Sequence, residues 1–374
     1  MKTTILSSIG AACLLAITSC AQKPQDDLVT FNFAANYDAP DTENPESVID
    51  LKMAMNPEVT DSTLIRELGL CGVIDDTYYI YSGDVMNPGR EMAFDASGKC
   101  LVSFDRSGAG PGEHGRLGSC WADASTKGWA VITLFDGIYN YTFDGKFTGK
   151  DSTMQINDIF PRPDGWIGLN ASAFKERPTT FYYFNNDWKL TDSIVTPHTN
   201  RSWPYEAQPG INATVAESVE LSLSASSVLY TYNDTIYDVT SPAEGIRPVA
   251  AVNSDGKRRP ADMNIMDAPE GEYLYYTVYM TENHALFFSW NYHKRTVMQI
   301  YDRNDGKLLY SASNEFTDYE HLGVPFEYDG HKLILKPINY TTDDRFFLSA
   351  SSEVMSEITG DEDANPALFS IQIK

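Results

Sequence analysis

The chain has 374 residues, with 52 acidic against 28 basic residues and a formal net charge of −24 at pH 7. A field of this sign repels nucleic acids and anionic lipid surfaces, which excludes nucleic-acid binding as a main function. The 22 tyrosines and 18 phenylalanines, without a long helical period, favour strands over helices.

Residues 1–19 are predicted to be a lipoprotein signal peptide. Lys2 precedes an uncharged apolar stretch, Ile5 to Ile17, that is too short to span a bilayer. The segment ends in Ile17-Thr18-Ser19-Cys20, which resembles the lipobox of bacterial lipoproteins and implies a lipid on Cys20. Two or more acyl chains anchor a protein durably, so we expect it on the outer membrane, facing the periplasm or the cell surface. An ordinary signal peptide with a chance cysteine is the alternative.

Residues 20–45 are polar, acidic and proline-containing, which is typical of a flexible tether. The globular part is predicted to span residues 46–374. It contains Cys71, Cys100 and Cys120, an odd number that allows at most one bridge. Buried thiols are the simpler expectation, because no C-x-x-C motif supports thiol-redox or zinc chemistry.

A short phrase recurs along the globular part: a strand, an Asp-containing turn and Gly-Lys. The copies are FDASGK from Phe94, FDGK from Phe143, NSDGK from Asn253, YDRNDGK from Tyr301 and a degenerate FNNDWK from Phe184. Such turns supply the positive φ that a tight hairpin needs. Hairpins at intervals of roughly 40 to 50 residues are the signature of propeller blades.

The repeat predicts an all-β, six-bladed β-propeller of four-stranded antiparallel blades. The early stretch ESVIDLKMAM and the terminal PALFSIQIK are both strand-like. We expect these N- and C-terminal strands to share one sheet and close the ring, since closure removes exposed sheet edges.

Several phrases recur in the order typical of one family. They are SVIDLKM, DSTLIRELG, DDTYYIYSGD, FDASGKCLVSFDRSGAGPGE and NDTIYDVTSPAEGIRPVAAVNSDGKRRP. In these the chain resembles the six-bladed, TolB-like β-propeller lipoproteins of Bacteroidota, over most of residues 46–350. It departs at His114, where an aromatic residue usually follows Gly-Pro-Gly-Glu, and at Trp188, which replaces a turn glycine. The resemblance implies the fold and an envelope location, but no ligand or reaction.

The loop SGAGPGEHGRLG contains a G-x-G-x-x-G match at Gly110, Gly112 and Gly115. A dinucleotide loop needs a helix directly after the glycines. RLGSCWADAS follows instead and has no helical period, while Pro111-Gly112 favours a type II turn. We therefore expect a turn here and no nucleotide cofactor.

Catalytic and metal-binding motifs are not found in the sequence. It has no H-E-x-x-H, no G-x-S-x-G and no P-loop, and its six histidines show no ligand-like pairing. The stretch from Asp302 to Lys307 fails the register of a calcium loop, because lysine stands at position six. No catalytic residue, metal site or cofactor is therefore assigned. A propeller-type carbohydrate hydrolase or lyase with paired carboxylates is the alternative function.

Aromatic residues are the remaining candidates for a site. Trp203 and Tyr205 lie in an inserted stretch, and Trp290, Tyr292 and His293 lie near a strand end. Flat rings beside polar groups suit stacking on a sugar or on apolar parts of a peptide, although packing between blades is the alternative for each ring. We expect a non-catalytic binding or scaffold module whose glycan, peptide or protein partner binds at the channel mouth.

Overall fold

The computed structural model describes residues 28–374 apart from 84–88, 116, 134–136, 152–155, 157, 163, 171–177, 200, 209–210, 218–219, 224–227, 233, 258–275, 291–294, 317–320 and 343. Within these residues, six antiparallel sheets follow one another along the chain and form a six-bladed propeller. The predicted fold class is confirmed.

Each blade is a meander in which consecutive strands are neighbours. The strands of blades 1 to 3 are β3 (Leu68–Ile74), β4 (Thr77–Ser82), β5 (Arg90–Phe94), β6 (Cys100–Phe104), β7 (Leu117–Asp123), β8 (Gly128–Thr133), β9 (Gly137–Thr142), β10 (Phe147–Asp151), β11 (Asp158–Arg162), β12 (Gly165–Asn170), β13 (Pro178–Phe184) and β14 (Leu190–Thr199). A separate hairpin of β15 (Arg201–Gln208) and β16 (Ile211–Glu217) follows blade 3.

The second half of the ring is built in the same way. The strands of blades 4 to 6 are β17 (Glu220–Leu223), β18 (Val228–Tyr232), β19 (Thr235–Asp238), β20 (Arg247–Val252), β21 (Tyr276–Met280), β22 (His284–Trp290), β23 (Arg295–Asp302), β24 (Leu308–Glu315), β25 (Val324–Tyr328), β26 (His331–Thr342), β27 (Arg345–Ala350) and β28 (Ala367–Ile373). Blades 4 and 6 each gain a fifth strand from the N-terminal segment, β1 (Val29–Phe31) and β2 (Ile49–Met55).

The core lies between the blades, because each sheet is covered on both faces by its neighbours. All six residues of β8 are buried, which explains its continuous apolar run. Aromatic rings of neighbouring blades contact each other. The ring centres of Tyr79 in blade 1 and Trp129 in blade 2 are 5.2 Å apart, and those of Trp121 in blade 2 and Phe160 in blade 3 are 5.9 Å apart. No single blade could bury these side chains alone, so the ring folds as one unit.

The ends of the chain close the ring as predicted. β2 pairs antiparallel with β28, from Ile49 opposite Ile373 to Met55 opposite Leu368. The last strand of the chain and an early one thus share the sheet of blade 6, and this sheet edge is paired rather than open.

Residues 29–48, here called the N-terminal strap, extend this closure across three blades. β1 pairs in parallel with β20 of blade 4, and Phe31 and Phe33 are fully buried. The amide of Thr42 then donates to the carbonyl of Ser311 in blade 5, at 2.9 Å, before β2 joins blade 6. The predicted tether, 20–45, is therefore packed on the propeller from the start of the strap. Residues 20–27 lie outside the described part, and a tether there stays a prediction.

The repeated turns have the predicted backbone. Gly98, Gly145, Gly256 and Gly306 have φ between 69° and 84°. Three of them also lie against the preceding blade: a Cβ on Gly98 would overlap the carbonyl oxygen of Asn56 just after β2, one on Gly145 would overlap the Phe104 ring of blade 1, and one on Gly306 would overlap a carbonyl in β1. These glycines are thus required both by conformation and by the approach of a neighbouring blade.

Helical segments are short in the described residues. They are α1 (Phe33–Asn36), a 3-10 turn (Pro45–Ser47) and α2 (Ser352–Thr359). Nowhere in this part of the chain does a helix combine the length and the apolar character needed to cross a membrane.

The three cysteines of the propeller are free thiols. Cys71 and Cys120 are buried and belong to the cluster shared by blades 1 and 2, whereas Cys100 is partly exposed. Burial raises the pKa of the Cys120 thiol, so it behaves as an apolar core group rather than as a nucleophile.

Candidate functional site

The five ring residues predicted from the sequence divide into three groups. Trp203 and Tyr205 lie on β15 of the separate hairpin, and their side chains are outside the described part of the chain. Trp290 ends β22 and packs, partly buried, against the core of blades 5 and 6. Tyr292 and His293 lie outside the described residues, as does Cys20. A ligand site at these five residues therefore stays a prediction.

Side chains of blades 2 and 6 meet at the inner side of the ring. Trp121 of blade 2 stacks on Tyr340 of blade 6, with ring centres 6.1 Å apart, and the amide of Val73 donates to the Tyr340 hydroxyl at 3.0 Å. Blades 2 and 6 are separated by blade 1, so this contact passes beside the inner strand of blade 1. Nearby, burial raises the pKa of Asp158 to about 6. The hydrogen bonds from Ser119 and Trp121 lower this pKa but do not offset the effect of burial.

A cavity of about 220 Å³ lies instead between blades 2 and 3. Blade 2 contributes strands β8 to β10 and the β7–β8 turn, and blade 3 contributes its β13–β14 turn. The lining residues are Thr126, Gly128, Trp129, Asn140, Tyr141, Thr142, Thr148, Gly149, Asn186 and Trp188. None of these ten carries a formal charge, in a chain with 52 acidic residues. The cavity is thus uncharged and rich in amides and hydroxyls.

The floor of this cavity is rigid. Trp129 and Tyr141 are 1% and 2% exposed, and the Tyr141 hydroxyl donates to the carbonyl of Gly112 at 3.2 Å. Burial raises the pKa of Tyr141 far above its usual value, so the phenol stays neutral. Both rings belong to the cluster shared by blades 1 and 2 and pack against Tyr79 and Phe104, so they face blade 1 and support the cavity wall from behind.

A β-bulge shapes the side of the cavity formed by β10. The register with β9 shifts between Phe147 and Gly149, and the ladder skips Thr148. The Thr148 hydroxyl donates to the Asn140 carbonyl at 3.0 Å, while the side chain stays exposed. Bulges are enriched next to binding sites, because they aim one side chain out of the ladder.

The opposite wall is formed by the turn in which tryptophan replaces glycine. Trp188 has φ of 59°, and its ring stacks on Trp166 of the same blade with centres 5.0 Å apart. A bulky residue in this backbone region is an outlier that costs on the order of 1–3 kcal/mol and is typical of functional sites. Asn186, in the same turn, is exposed and accepts a 3.4 Å hydrogen bond from Ser125 of blade 2. The repeat is thus broken at the position that lines the cavity.

The loop after blade 1 contains a buried acid–histidine pair. His114 Nε2 lies 3.0 Å from Glu91 Oε1, and both side chains are 0% exposed. Burial raises the pKa of Glu91, whereas the hydrogen bond and charge of Glu91 outweigh burial and raise the pKa of His114, so the two groups titrate as a coupled pair. The pair cannot touch a substrate from this position. It fastens the glycine-rich loop to β5, and β7 rather than a helix follows that loop, as predicted.

Comparison with known proteins identifies relatives by fold and by family. An exported protein from Bacteroides fragilis aligns with a TM-score of 0.67 and 16% identity, over 93% of this chain and 99% of that chain. A member of the DUF4221 family from Bacteroides vulgatus aligns with a TM-score of 0.46 and 10% identity, over 88% of this chain and 99% of that chain. At these identities the similarity concerns the fold alone. No curated protein matches.

The family comparison covers nearly the whole propeller, including most of the strap. The matched profile, described as a domain of unknown function, runs from residue 30 to residue 372. The chain therefore belongs to the DUF4934 family.

Proposed function

We propose that the protein is a non-catalytic binding module of the cell envelope that holds a neutral glycan in the cavity between blades 2 and 3. The observation that carries this proposal is the left-handed Trp188, which breaks the glycine repeat where the cavity needs an aromatic wall. Natural chains retain such strain where the side chain has a use.

The chemistry of the lining favours a sugar over a charged ligand. Asn140 and Asn186 each offer both donors and acceptors, and three threonine hydroxyls accompany them. The partly exposed Trp188 ring supplies a flat apolar face for stacking, as a sugar ring requires. The volume is below the roughly 300 Å³ that usually marks a drug-sized pocket, so it suits one unit of a longer chain. A peptide or protein partner is the other outcome of the test.

The location of the module rests on two supports. The structural relative from Bacteroides fragilis is an exported protein, and the chain begins with a lipobox-like segment ending at Cys20. Residues 21–27 separate that cysteine from the packed strap, and extended chain of this length spans at most about 30 Å. A TolB-like lipoprotein held by Cys20 at the outer membrane would thus keep blades 4 and 5 close to the lipid.

The test is retention of the purified protein on a panel of neutral and charged glycans. Trp188→Gly restores the repeat's own turn residue while removing one wall of the cavity, and Thr148→Ala removes one exposed hydroxyl. Thr191→Ala is the matched control, because it occupies the same bulge in blade 3 and makes the same 3.0 Å hydrogen bond to the neighbouring strand, outside the cavity.

We expect Trp188→Gly to abolish retention of a neutral glycan, and Thr148→Ala to weaken it about 3- to 10-fold, the value of one hydrogen bond. Thr191→Ala should bind like the wild type. Equal binding by all three variants would refute the cavity as the site. Release of a shorter glycan during the incubation would replace the binding module with the hydrolase or lyase alternative.

A further inference from the structure

Three metal-ligating side chains converge on blade 6, away from the cavity. One ligand atom from each of His321, Glu353 and Glu357 lies within 4.8 Å of the other two. The histidine precedes β25, and the two glutamates belong to α2 in the connection between β27 and β28. Two segments that are distant in the sequence thus present an imidazole and two carboxylates to one point.

The helix holds its two carboxylates in place. The Ser351 hydroxyl caps its first turn by accepting from the amide of Val354 at 3.3 Å, and Gly360 ends it with φ of 72°. Val354 and Met355 are buried, so the opposite face of α2 is fixed on the propeller. Glutamates four residues apart then lie side by side on one face of the helix.

The histidine approaches from the connection between blades 5 and 6. Its Nε2 lies 3.9 Å from Glu357 Oε1, and its side chain is 28% exposed. The Asn314 amide donates to the His321 carbonyl at 3.3 Å, which ties this backbone to the end of β24. The imidazole is therefore positioned by the fold and still reachable from solvent.

We propose that His321, Glu353 and Glu357 bind one Zn²⁺ ion. Zinc takes imidazole nitrogen and carboxylate oxygen at about 2.0–2.2 Å in tetrahedral geometry, which requires ligand atoms about 3.4 Å apart. Zinc binding would therefore draw together ligand atoms that now lie within 4.8 Å of one another, through rotation of the two exposed glutamate side chains. A cation also relieves the repulsion between neighbouring carboxylates in an acidic protein. Calcium prefers six to eight oxygen ligands and fits an imidazole poorly.

The bound ion would join α2 to the connection between blades 5 and 6. Three protein ligands leave a fourth position for water, so the site is open to an additional ligand. This inference rests on blade 6 and the connection that leads into it, and it does not depend on glycan binding between blades 2 and 3.

The experiment is titration of the chelator-treated protein with ZnCl₂ by calorimetry, with thermal unfolding measured in the presence and absence of zinc. Glu357→Gln and His321→Gln remove one ligand each. Glu362→Gln makes the same charge change at an exposed position just beyond the helix. The melting temperature in chelator shows whether each variant is folded.

We expect one zinc ion per chain, a rise in melting temperature on zinc addition, and at least a 10-fold loss of affinity in Glu357→Gln and His321→Gln. Glu362→Gln should match the wild type. The absence of binding in the wild type, or unchanged affinity in both ligand variants, would overturn the proposal. Tighter binding of calcium than of zinc would also overturn it, since the imidazole would then have no part.

Discussion

Replacing Gly98 with alanine tests whether the repeated turns lock each blade to the one before it. Gly98 has φ of 84°, and an added Cβ would overlap the carbonyl oxygen of Asn56, which follows β2 of blade 6. The contact is reinforced because the amide of Glu58 donates to the Gly98 carbonyl at 2.8 Å and the Glu58 carboxylate accepts from the Cys100 amide at 2.9 Å. Moving residues 56–58 away from Gly98 would therefore break both of these hydrogen bonds.

The cost has two separable parts. An alanine in left-handed backbone loses about 1–2 kcal/mol. Relieving an overlap with packed backbone typically costs a further 1–3 kcal/mol or so. Gly98→Ala should thus lower the free energy of unfolding by about 2–5 kcal/mol. Gly330→Ala is the control: its φ is 78°, and a Cβ there meets no atom of the described residues within 4 Å, so only the first cost applies.

Urea unfolding of the two variants, followed by tryptophan fluorescence, measures the difference. A loss in Gly98→Ala at least about 1 kcal/mol larger than in Gly330→Ala supports the lock between blades. Equal losses would show that the turn glycines serve backbone conformation alone, and that blade-to-blade contact at the turn contributes nothing.

Three further predictions concern the strap, the buried pair and the response to pH. Phe31→Ala should cost about 3–5 kcal/mol in urea unfolding, because the ring is fully buried, whereas the half-exposed Leu101→Ala should be nearly neutral; similar values would mean that the strap is not part of the core. His114→Ala leaves Glu91 buried without its partner and should cost about 3–5 kcal/mol, and a loss below about 1 kcal/mol would show that the pair does not fasten the loop to β5. The pKa of Asp158 is raised to about 6, so the folded state keeps a proton that the unfolded chain releases near pH 4. Acidification from pH 7 to pH 5 should therefore stabilise the wild type relative to Asp158→Asn, and parallel pH profiles would refute the shift.

The propeller could be predicted from the sequence because its signal is local. A turn that needs positive φ demands glycine at one position whatever the rest of the chain does, and the copies at Gly98, Gly145, Gly256 and Gly306 give the blade interval. Closure by β2 and β28 could also be predicted from the sequence, because the strands at the two ends of a ring need a pairing partner.

The strap and the cavity could not be predicted from the sequence in this way. Phe31 and Phe33 stand in an acidic, polar stretch, and their partners in blades 4 and 5 lie about 200 residues or more away. The cavity is made by two blades together, so no single stretch of sequence describes it. One signal was present: Trp188 departs from the glycine of its sibling turns, and that departure marked the cavity wall.

Hydrogen exchange with and without a bound glycan tests the central claim most directly. The cavity predicts slower exchange of amides in residues 126–149 and 185–189, with the rest of the ring unchanged. Protection confined to the β15–β16 hairpin, around Trp203 and Tyr205, would contradict it and place the ligand where the aromatic residues of the inserted stretch predicted.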